Sequence, residues 1–112
     1  MELANITFDA TDPEQLAPFW AAATGWPLTE STPALARLRS AAPAICLLFL
    51  KVADGKTTKN RMHVDFRTTD RATEVTRLER LGATVHTTHH EHGLIWTVMT
   101  DTEGNEFCVM QT

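Results

Sequence analysis

The chain is poor in cysteine. Cys46 and Cys108 are its only two, and their separation gives neither a disulfide framework nor a zinc-binding spacing. Both lie in apolar, strand-like runs, which reads as reduced, partly buried thiols of a cytoplasmic protein. Long hydrophobic stretches are missing too: the longest run, Ala44 to Leu50, is far too short to span a bilayer. The opening MELANITFDATD has no basic segment ahead of an apolar one, so no secretory signal is expected there. Nor is there a concentrated basic face. The ten Lys and Arg are spread along a chain of formal net charge −4, which argues against nucleic acid as the main partner, because phosphate binding needs clustered cations. No glycine-rich phosphate loop and no serine-hydrolase elbow is present.

What remains is ordinary globular material. The 112 residues fit one domain, and 43% hydrophobic with 21% charged residues exclude disorder as the dominant state. Asn5 to Ala10 alternates polar and apolar residues, the period of a half-buried strand. Asp12-Pro13-Glu14-Gln15 then opens a helix, with Asp12 as cap, Pro13 at the first helical position and Gln15 where a capping box needs it. Leu16, Phe19, Trp20 and Ala23 fall on one face at helical spacing, and Gly25 ends the helix. Strand-like stretches follow at about Pro27–Glu30, Leu35–Leu38 and Ile45–Val52, and the polar segment 54–60 reads as a linker.

The pattern then restarts. Arg61–Arg67 alternates, Asp70 caps, Ala72, Val75, Leu78 and Leu81 form an apolar face, and Gly82 stops the helix. Three further strands are predicted at Thr84–Thr87, Leu94–Met99 and Glu106–Met110, the last two joined by a turn at 101–105. Shifted by 58 positions, Ile6–Asp12 lies on Val64–Asp70 without gaps, with Phe8 on Phe66, Thr11 on Thr69 and Asp12 on Asp70. The expected architecture is therefore α+β: two βαβββ modules, about 1–53 and 61–112, within a single domain. A single irregular α+β domain is the alternative.

Four segments, LAPFWAAATG (16–25), KNRMHVDFR (59–67), LERLGA (78–83) and WTVMTDTEGNEFCV (96–109), resemble the vicinal-oxygen-chelate superfamily, and within it the short glyoxalase-like and bleomycin-resistance-like proteins. The resemblance covers essentially the whole chain. It implies paired modules forming a curved mixed sheet around a pocket. In the superfamily's enzymes a divalent metal sits in that pocket, held by a histidine on the first strand of each module and a glutamate on the last. In this sequence the second-module histidine is His63. Its counterpart in the first module is Asn5, the terminal glutamate is replaced by Cys108, and no ligand stands at 47–49 on the first module's last strand. One good ligand with one thiol rarely makes a tight site, so no metal and no cofactor is expected. A divalent metal on His63 and Cys108 is the alternative.

Strand alternation nominates the pocket lining. If His63 faces inward, so do Asp65 and Arg67, while Met62, Val64 and Phe66 face the helix; Asn5, Thr7 and Asp9 share one face, and Glu106, Cys108 and Met110 another. The ligand-binding candidates are thus Asn5, Thr7, Asp9, Asp65, Arg67, Trp96, Glu106 and Cys108, with His63 as candidate acid or base. An ion pair of Arg67 with Asp65 or Asp9 is the purely structural alternative. Among the tryptophans, Trp20 belongs to the helix face, and Trp96 is the better ligand wall. The histidine-rich run 86–92 reads as a solvated loop joining two strands. The expected function is metal-independent binding or sequestration of a small aromatic or cationic molecule or metabolite, by a cytoplasmic homodimer. The alternative is a lyase, isomerase or dioxygenase of the superfamily, using His63 as acid/base or as ligand of an atypical metal.

Overall fold

A computed structural model describes residues 3–112. The chain divides into two compact units, the first ending at Gly55 and the second running from Lys56 to Thr112. Each is a βαβββ module. The first contains β1 (Asn5–Ala10), α1 (Pro13–Thr24), β2 (Leu28–Ser31), β3 (Leu35–Arg39) and β4 (Cys46–Lys51). The second contains β5 (Val64–Thr68), α2 (Arg71–Arg80), β6 (Thr84–Glu91), β7 (Leu94–Thr100) and β8 (Glu106–Gln111). The two sheets have equivalent orders, β1-β4-β3-β2 and β5-β8-β7-β6. In both, the first and last strands pair in parallel and the other neighbours antiparallel. The repeat read from the sequence is therefore a repeat of topology.

Local chemistry explains the helix boundaries. The Asp12 carboxylate accepts from the Gln15 N–H at 3.2 Å, and Asp70 accepts from the Thr73 N–H at 3.1 Å, each satisfying a donor that the first helical turn leaves without a partner. Gly25 closes α1 at φ 73°, its N–H donating to the Ala21 carbonyl at 2.9 Å. Gly82 follows α2 at φ 111°, and a Cβ there would stand only 3.0 Å from the Thr102 methyl.

The first unit's core is aromatic. Trp20 is fully buried against Phe8, with ring centroids 5.5 Å apart, and Phe8 stacks on Phe49 at 5.4 Å. Leu16, Phe19, Leu38 and Leu47 complete it. In the second unit Phe107, Met99 and Val109 are buried, Leu78 is the buried residue of α2, and Phe66 meets Phe107 edge-on at 6.3 Å.

Two details depart from expectation. The fifth strand begins at Val64 rather than Arg61, and Met62, expected against the helix, is 78% exposed. The histidine run is not a loop: Thr84–Glu91 is one continuous strand, and the chain reverses only at His92 and Gly93, both at positive φ. That pair forms the tight turn favoured between twisted antiparallel strands.

Candidate functional site

Pairing register decides which side chains leave the helix side of the second sheet. Thr97 is buried and accepts a hydrogen bond from the Arg71 guanidinium on α2, so its neighbours Trp96 and Val98 point the other way. Val98 lies opposite Cys108, Cys108 opposite Asp65, and Trp96 opposite Met110. These residues, with His63, Leu94, Glu106 and Lys59, line a cavity of about 390 Å³ within the second unit. Its wall is apolar and aromatic (Leu94, Trp96, Val98, Met110), and its polar groups come in two sets.

The first set is His63, Asp65 and Cys108. His63 Nδ1 lies 2.8 Å from an Asp65 carboxylate oxygen and 3.9 Å from the Cys108 sulfur. Nδ1–H donating to Asp65 leaves Nε2 as the imidazole's basic nitrogen. Burial pushes the Cys108 thiol up to about 11, helped by its hydrogen bond to Asp65 and by that carboxylate's charge. Asp65 thus collects a proton donor from each neighbour, and Cys108 is held as a thiol rather than activated as a nucleophile. Asp65 pairs with His63 rather than with Arg67, its partner in the purely structural alternative.

The second set centres on Glu106. Lys59 Nζ donates to it at 2.7 Å, Lys56 stands 4.0 Å away, and the Asn60 N–H adds a further hydrogen bond. The Lys59 bond, first among these, holds the Glu106 carboxyl below the usual range. One carboxylate thereby ties the segment before β5 to the start of β8.

The cavity brings together five of the nominated residues, His63, Asp65, Trp96, Glu106 and Cys108. Arg67 shares their face opposite Met110 but does not line the cavity. Asn5, Thr7 and Asp9 alternate with Ile6 and Phe8 as expected and form the exposed face of β1 in the first unit. Sequence reasoning misses Lys59, since nothing local in a polar linker marks a side chain that pairs 47 residues downstream.

Among the described residues, His63, Asp65 and Cys108 bring three donor atoms within 4.8 Å of one another. They do not reproduce the superfamily's histidine and glutamate set, and they fit it poorly: the Asp65 carboxylate is engaged by His63, and a thiol stands where that set has its glutamate.

A family model described as a glyoxalase-like domain matches residues 5–110, and the chain belongs to that family. Solved structures agree in fold. A glyoxalase/bleomycin resistance protein/dioxygenase family enzyme from Burkholderia phytofirmans PsJN superposes with a TM-score of 0.83 at 16% identity, covering 99% of this chain and 98% of that one. The fosfomycin resistance protein FosX from Mesorhizobium loti gives 0.76 at 12% identity, covering 99% and 92%. A bleomycin-binding protein complexed with bleomycin gives 0.70 at 15% identity, covering 100% and 99%. No curated protein matches the chain significantly in sequence. No helix among the described residues is long and apolar enough to cross a membrane.

Proposed function

We propose that the chain binds a small planar molecule, aromatic and neutral or cationic, in the cavity of the second unit and does so without a metal. The observation that carries this reading is the lining itself: an indole and three aliphatic side chains face a histidine–carboxylate pair across about 390 Å³, the composition of a small-ligand site. Asp65, whose ion-pair partner among the described residues is His63, favours a ligand that brings a positive or hydrogen-bond-donating group. The relative that holds bleomycin supports the class of activity, binding without stated chemistry. A single family model spans both units, consistent with one domain, and the assembly that goes with this reading is an isologous homodimer. Free thiols at Cys46 and Cys108 suit a reducing, cytoplasmic setting.

A second reading is favoured by the His63–Asp65 bond. A carboxylate-oriented imidazole acts as acid or base on a bound substrate, as a lyase or isomerase would require, or as ligand of an atypical metal in a dioxygenase.

Titration of untagged protein with proflavine, a flat cationic dye, separates these. Saturable binding without turnover, weakened roughly tenfold by Trp96→Ala, is the expected result. Near-stoichiometric metal in the purified protein that disappears in His63→Ala would overturn the metal-free reading. Metal retained in that variant would direct attention to the histidines of β6.

A further inference from the structure

His89 stands outside the cavity lining, yet it touches the residue that matters most there. Of the histidines on β6, His86 and His90 are exposed and His89 is half-buried. The reason is its cross-strand partner: His89 pairs with Trp96, and the two rings stack with centroids 5.0 Å apart and planes 16° from parallel. The imidazole is itself held, since its Nε2 lies 2.9 Å from the Thr87 hydroxyl two residues earlier on the same face. On the other side of Trp96, the β8 neighbour at the same register is Met110, which lines the cavity. The indole therefore has one face covered by His89, and its second face turned toward Met110 and the ligand space.

We propose that His89 is a positioning residue that holds the Trp96 indole as a fixed wall, and that this makes the cavity select flat ligands over bulky ones. The claim rests on the reading of Trp96 as ligand wall. A tryptophan free to change rotamer loses ordering entropy when a ligand stacks on it; one already braced by a neighbour does not, so bracing raises affinity for ligands that need a flat surface. Removing His89 opens the space beside the indole and lets it swing. A bulky ligand gains from that freedom while a flat one loses. Thr87 serves the same end by fixing the imidazole.

The test compares proflavine with 1-adamantanamine, a bulky compound of the same charge, on wild type, His89→Ala and His89→Phe. The expected result is an about fivefold fall in the preference for proflavine in His89→Ala, restored in His89→Phe, which keeps a planar ring without the imidazole. Fluorine NMR of protein labelled with 5-fluorotryptophan gives an independent readout. The resonance that Trp96→Phe removes should shift in His89→Ala while those of Trp20 and Trp26 stay in place. An unchanged ligand preference in His89→Ala, or an unmoved Trp96 resonance, would overturn the inference. A wild type that does not bind proflavine would instead sink the proposed function, and the fluorine measurement would still decide whether His89 positions Trp96.

Discussion

The two units share one order of elements and one pairing scheme but divide their chemistry. In the first, α1 buries Pro13, Leu16, Ala17, Phe19 and Trp20; in the second, the buried residue of α2 is Leu78. The open faces contrast in the opposite sense. Where the second unit has His63, Asp65 and Cys108, the matching places of the first hold Asn5, Thr7 and Leu48, none of which carries an ionisable group. A duplicated scaffold has let one copy concentrate on packing and the other on a polar, aromatic cup.

That contrast can be broken most forcefully at the cores. Trp20→Ala removes the ring that Phe8 and Phe19 pack against and should cost roughly 3–5 kcal/mol, whereas Leu78→Ala should sit near the low end of the roughly 2–5 kcal/mol range for such truncations. Hydrogen exchange resolves the two units: amides of β3 and β4 should lose more protection in the first variant than those of β7 and β8 in the second. Equal losses would remove the claimed asymmetry in packing.

A smaller effect sharpens the account of the cup. With Cys46→Ser as background, Cys108 should react slowly with iodoacetamide at pH 8, being a buried thiol of pKa about 11. Asp65→Asn removes the adjacent negative charge, lowers that pKa, and should raise the alkylation rate roughly tenfold by enlarging the thiolate fraction. A rate indifferent to Asp65 would mean that burial alone controls the thiol.

The smallest effect concerns pH. Glu106 has its folded pKa depressed below the ordinary glutamate value of 4.5, so its contribution to stability is fully present above that value and is lost as pH falls through the folded pKa. Denaturation midpoints of wild type and Glu106→Gln should therefore converge as pH drops below about 4.5 and separate above it. A constant separation across this range would detach Glu106 from the lysines.

The fold was largely legible because its signals are local. Asp12 and Asp70 as caps, Gly25 at a helix end and the alternation around Phe8 and Phe66 each follow from rules spanning a few residues. The histidine run misled because β6 is an edge strand with most side chains exposed, so the polar–apolar period that marks a half-buried strand is absent. Its threonines, good strand formers, were the available signal. At the site, alternation put Asp65 on one face with His63, and Cys108 on one face with Glu106, while Trp96 was chosen for its ring alone; partners were out of reach, because which residue meets Glu106 or stacks on Trp96 depends on register between strands and on a linker side chain.

The turn between β7 and β8 carries a consequence of its own. Asp101 is buried and its carboxylate receives the N–H groups of Glu103 and Asn105 and the Asn105 side-chain amide, which locks the number of residues between the two strands. Inserting one residue within that knot would advance the whole final strand by half a pleat period, presenting phenylalanine and valine to solvent and driving the thiol and Met110 toward the helix. Length variation among descendants of this chain is thus expected to be purged at 101–105 and tolerated in the exposed stretch 53–58.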